Sequence, residues 1–140
     1  MSPRFASLLL VGLTLIPLGC RGDASHPPTF AVTGKVTIDG KPADKATVVF
    51  HPVGKSGVDA PKSRGQVGAD GTFTLTTFGD NDGAPAGDYQ VTVELWLAGA
   101  RSDDPPSNRL SPKLARPETT PLTATVLAGP TTLEPFALKR

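Results

Sequence analysis

From Val32 the chain alternates in character: Val32, Val36 and Ile38 stand against Thr33, Lys35, Thr37 and Asp39, the period of two that gives a strand one buried and one solvated face. Asp39-Gly40-Lys41-Pro42 closes that strand. Ala46, Val48 and Phe50 repeat the pattern until His51-Pro52, where proline removes a ladder donor. Val53 to Lys62 reads as a loop. Gln66-Val67-Gly68, the turn signal Asp70-Gly71, then Phe73 and Leu75 predict a tight hairpin. After a second turn-rich stretch, Thr77 to Gly87, the longest alternation begins. Tyr89, Val91, Val93, Leu95 and Leu97 lie opposite Gln90, Thr92, Glu94 and Trp96, which predicts a long central strand. Ala98 to Pro121 is a proline-rich connection, and one that long inside a compact domain is usually functional or mobile. Leu122, Ala124 and Val126 mark a further strand, and Phe136 with Leu138 the last. Seven short strands without a helical period predict an all-β fold, a seven-stranded antiparallel β-sandwich.

The N-terminus has a different pattern. Met1 to Arg4 is short and basic, and Phe5 to Leu18 is almost unbroken apolar sequence ending in Gly19-Cys20. A spanning helix needs roughly 20 apolar residues, so this run predicts a cleaved signal segment, residues 1–19, rather than a transmembrane helix. Ile16-Pro17-Leu18-Gly19-Cys20 resembles a bacterial lipobox, with proline at a position usually held by an aliphatic residue. That resemblance implies diacylglyceration of Cys20 and a membrane held through lipid. Residues 20–31 are polar and proline-containing and read as a tether, leaving 32–140 as the domain. The tripeptide Arg21-Gly22-Asp23 is too common, and too near the anchor, to read as an adhesion motif.

Composition narrows the function. With 14 basic and 13 acidic residues, net charge +1, the chain lacks the electrostatic footprint of nucleic-acid binding. The single cysteine rules out an internal disulfide framework. Histidines are confined to His26 and His51, too few for an expected metal site, and no cofactor is expected. Asp80, Asp82 and Asp88 invite a calcium reading. Turn chemistry accounts for Asp82-Gly83 without an ion, and the spacing is not that of an EF-hand loop. Nucleophile-elbow, phosphate-loop and dinucleotide motifs are absent from the sequence.

The strands also carry a resemblance. Val32-Thr33-Gly34-Lys35-Val36-Thr37-Ile38-Asp39-Gly40-Lys41-Pro42 with Ala46-Thr47-Val48-Val49-Phe50 resembles the opening of a carboxypeptidase regulatory-like domain, a transthyretin-like, Ig-like sandwich. Asp70 to Leu75, Asp82 to Val91, and Thr120 to Val126 followed by Gly129 are similar to later signatures of short envelope lipoproteins carrying one such domain. The resemblance implies a fold and a location, with no peptidase domain in cis.

The expectation is therefore a non-enzymatic binding or structural module of the cell envelope, at the periplasmic or outer-membrane face, or secreted if Cys20 is not lipidated. Its partner would be an envelope protein or glycan. The competing class is an enzyme working through loop carboxylates. Trp96, opposite the apolar face of its strand, is the candidate partner-binding residue, with Arg101 and Arg109 in the loop that follows. The plainer expectation for Trp96 is that this proline-rich loop covers it.

Overall fold

A computed structural model of the chain describes residues 26–54 and 60–140. The signal segment, Cys20, Arg21 to Asp23 and the middle of the Val53–Lys62 loop lie outside the described residues. Thirteen strands follow: β1 Thr29–Phe30, β2 Val32–Ile38, β3 Lys41–Pro42, β4 Thr47–Pro52, β5 Ser63–Gln66, β6 Thr72–Thr74 and β7 Ala84–Pro85 in the first half. β8 Gly87–Glu94, β9 Trp96–Leu97, β10 Ser107–Asn108, β11 Thr123–Val126, β12 Thr131–Thr132 and β13 Phe136–Leu138 complete the set, with one 3-10 turn at Pro112–Ala115. The fold is all-β.

Two sheets do most of the packing. The first has the order β11-β8-β4-β5, antiparallel throughout, with β4 and β8 inside as the long alternation of β8 predicts. The second is built around β2, flanked by β6 and β3 on one edge and by β12 and β13 on the other. Here the all-antiparallel expectation is corrected, because β12 and β13 both pair parallel to β2. The reason is parity. β11 runs antiparallel to β8, and when the chain reverses between Val126 and Thr131 it enters the second sheet in the direction β2 already has.

The Asp70-Gly71 turn forms: the Gly68 N–H donates to Thr72 O at 2.9 Å, and Asp70 Oδ1 accepts from the Thr72 N–H at 3.0 Å. Its arms do not remain a hairpin, however. β5 pairs with β4 and β6 with β2, so the arms keep the Gly68–Thr72 bond, the bridge Arg64↔Thr76 and the Ser63–Thr77 hydroxyl pair, and the turn carries the chain from one sheet to the other. The expected long strand is also shorter than its pattern, since β8 stops at Glu94 and β9 pairs elsewhere. Part of the stretch read as tether is structured, because β1 pairs with β7.

One core joins both sheets. Val48, Phe50, Tyr89, Val91 and Val93 from the first sheet meet Val32, Val36, Phe73 and Leu138 from the second, all buried. Phe50 links the sheets, its ring centroid 5.6 Å from Tyr89 and 6.3 Å from Phe73. Gly34 faces this core under the Phe73 ring, where a Cβ would lie 2.5 Å from Cζ. Gly83 is constrained twice: its φ is +89°, and a Cβ there would strike the Phe30 carbonyl.

The sheets also define two ends of the molecule. β2 begins, β4 ends and β8 begins at the end where the chain enters from His26; β2 ends, β4 begins and β8 ends at the other, beside Arg140. Trp96 lies at this far end.

Candidate functional site

The far end is organised by Asn108. Its Oδ1 accepts from the Leu95 N–H at 3.0 Å and the Leu110 N–H at 3.1 Å, while the Arg109 N–H donates to Leu95 O at 2.8 Å. Leu95 is thus drawn out of the β4 ladder, and Trp96 and Leu97 pair with Asn108 and Ser107 as β9 and β10. Leu95 and Leu110 stay buried. Trp96 does not. It is 57% exposed, so the loop pairs with its backbone and leaves the ring uncovered, contrary to the plainer expectation. The indole N–H donates to a Glu94 carboxylate oxygen, which holds the ring against its own strand.

Arg101 and Arg109 are positioned differently. The guanidinium of Arg109 donates to Ala98 O at 2.9 Å, fastening the start of the loop. Register pairs Trp96 with Asn108, and Arg109, one residue on, is out of phase with the indole. The Arg101 N–H donates to Asp104 Oδ2 at 3.1 Å in a local turn, and its side chain is exposed. All three candidates therefore sit on the β9–β10 unit, and neither arginine hydrogen-bonds to Trp96.

Leu95 and Leu97 line one wall of a 450 Å³ groove at this end, with Lys41, Lys45, Asp39 and Arg140 around it. Sequence reasoning missed these cations, and nothing local could have found them, because they come from the β2–β4 connection and from the C-terminus. Asn108 had a local signal: an Asn side chain accepting from the N–H two residues on is an Asx turn.

The rest of the Ala98–Pro121 segment is neither structureless nor detached. Leu114 in the 3-10 turn is buried, and the Thr120 hydroxyl donates to Val91 O at 2.7 Å, covering the part of the β8 edge that β11 does not reach. A covered edge cannot recruit another strand.

His51 lies on the outer face of the first sheet, half-buried, with Nε2 3.0 Å from the Thr92 hydroxyl. Burial lowers its pKa, the Lys62 charge adds to that, and Glu118 opposes both without reversing them. Across the sheet, Gln90 buries its side-chain oxygen without a hydrogen-bond partner among the described residues. Asp70 and Asp82 are turn builders. Asp82 is pushed up by burial but more strongly down by the N–H groups of Thr77, Phe78 and Gly79, at 2.7, 3.0 and 3.1 Å, so its carboxyl falls below the usual range. Asp70 is likewise lowered, first by the Thr72 N–H and then by its hydroxyl. Asp88 accepts from the Thr125 hydroxyl at 2.7 Å. No group of three or more potential metal ligands occurs among the described residues.

No protein-family model matches the chain, and no curated protein matches it. A solved structure, a 9R-lipoxygenase from Cyanothece PCC8801, is similar at a TM-score of 0.43 and 14% identity over 81% of this chain. This chain spans 17% of that one. A likeness so loose supports no statement about fold family or activity.

Proposed function

We propose that the chain is a lipoprotein anchored through Cys20 outside the cytoplasm, and that its domain is a binding or structural module that catalyses nothing. In this reading the domain is a seven-stranded, transthyretin-like β-sandwich of the carboxypeptidase regulatory-like kind. Two features support the sandwich. Seven strands run three residues or more, β2, β4, β5, β6, β8, β11 and β13, and one core joins the two sheets they form.

The observation that carries the binding function is the uncovered Trp96 at the end remote from chain entry, stiffened by Glu94 and by the β9–β10 pair. A large ring held in place on a rigid scaffold contributes contact area at little conformational cost, for an envelope protein or for a glycan. Cross-linking in intact cells with the full chain as bait should capture a partner. Trp96→Ala should reduce that capture about tenfold or more, as truncating an interface anchor does, with the fold retained. Unchanged capture would move the surface elsewhere. Hydrolysis of esters, peptides or glycosides that disappears on replacing one Asp or Glu would establish the competing, carboxylate-based class instead.

A further inference from the structure

Four large apolar side chains stand exposed among the described residues, and they are not scattered: Trp96 is at the far end, while Val53 (54% exposed), Phe78 (43%) and Leu127 (62%) are at the end where the chain enters. Register places each one. Val53 follows the last residue of β4, and its N–H donates to Asp88 O at 2.9 Å, at the start of β8. Val126 pairs with Gly87, so Leu127 is the first residue beyond β11 on the same side. The Leu127 N–H then donates to the Thr131 hydroxyl at 3.1 Å, and the Thr131 N–H to Ala31 O at 2.9 Å, beside the start of β2. Phe78 lies past β6, which runs antiparallel to β2 and so returns the chain to this end. His26 stacks on Phe78 with ring centroids 4.1 Å apart, and Pro27 joins Val53 in lining a small crevice.

We infer that this end, where the exposed carboxylates of Asp80 and Asp88 stay at the headgroup level, is a lipid-facing surface, with Val53, Phe78 and Leu127 seated in the membrane interface and Trp96 directed away from it. The inference rests on the proposed anchor at Cys20, and chain length supplies the argument. Five residues lie between Cys20 and His26, and the six steps they make, at about 3.3–3.6 Å each, span at most roughly 20 Å. A lipid on Cys20 therefore holds the His26–Phe78 stack within that distance of the bilayer. Phe78 is confined that close to lipid, and with Val53 and Leu127 exposed at the same end the three side chains gain more by entering the interface than by remaining in water. The lipid supplies affinity, and the surface supplies orientation. The opposite end then faces outward, where a partner can reach it.

Trp96 is the chain's single tryptophan and reports on the far end without modification. The mature full-length protein would be placed in phosphatidylcholine vesicles with acyl-chain bromines, and its mass read to score lipid on Cys20 separately. If the mass shows no lipid, coupling the Cys20 thiol to a maleimide headgroup supplies the anchor, so failure of lipidation and failure of the surface are distinguished. Native Trp96 should be scarcely quenched. Phe78→Trp and Leu127→Trp, each in a Trp96→Phe background, should be quenched at least about twofold more strongly and blue-shifted, as expected for side chains about 5–10 Å into the headgroup boundary. Two variants guard against one that fails to fold. Equal quenching at both ends, or stronger quenching of Trp96, would overturn the inference. So would a blue shift that grows with protein concentration without lipid quenching, which would assign the patch to a second copy of the chain.

Discussion

Gly34 shows how one residue can set the core. The Phe73 ring occupies the volume a side chain at position 34 would need, so Gly34→Ala should cost about 1–3 kcal/mol by overpacking, and Phe73→Ala about 3–5 kcal/mol by leaving a cavity. The double variant should cost less than the sum, because the added methyl enters the space the ring vacates; additive costs in denaturant titrations would show that the two do not meet. His51 sets a pH dependence. Its folded pKa lies below the ordinary 6.5, so between the two values the unfolded chain binds more protons. Stability is therefore fullest above about 6.5 and declines as pH falls from there towards the folded value. A ring-proton titration should have its midpoint below 6.5, moved up by Lys62→Ala and down by Glu118→Gln. A midpoint at or above 6.5 would contradict the burial described. Phe73 was recognisable from its alternation, but its contact with Gly34 was not, since periodicity assigns a residue to a face without saying which ring lies over it.

At the scale of the element, the β9–β10 pair depends on one side chain. Asn108→Ala should leave the Leu95 and Leu110 N–H groups without their acceptor and cost about 1–3 kcal/mol, whereas Asn108→Asp keeps the accepting oxygen and should cost less. Hydrogen exchange at Leu95 and Leu110 should accelerate in the alanine variant first; unchanged exchange would mean that backbone pairing alone holds the unit. The alternation from Tyr89 to Leu97 was legible as one strand, and burial follows it through Leu95 except at Thr92, which is buried on the opposite face. Its break after Glu94 was not legible, because the cause is an Asn thirteen residues downstream. The Asp70-Gly71 turn shows the same division. Its geometry is local, but the separation of its arms into two sheets depends on β2 and β4 offering better pairing partners than the arms offer each other.

For the whole molecule, His26, where the described chain begins, and the candidate binding surface around Trp96 lie at opposite ends. Cys20→Ser should release the protein from the membrane fraction while leaving the domain's melting temperature unchanged, because the core formed by the described residues runs from Val32 to Leu138, C-terminal to that position. Retention of the serine variant in membranes would point to an anchor other than lipid.

What the sequence determined by itself was the class and the interior. A period of two, repeated between turn residues, assigns faces, and Phe50, Phe73, Tyr89 and Val93 are all buried as that period requires. What only the tertiary structure decided was pairing. The parallel entry of β12 and β13, the exposure of Trp96, the groove between Leu97 and Arg140, and the gathering of Val53, Phe78 and Leu127 at the chain's entry all join residues far apart in sequence. Alternation is set by each strand's own backbone, whereas neighbours are chosen by the packing of all strands at once.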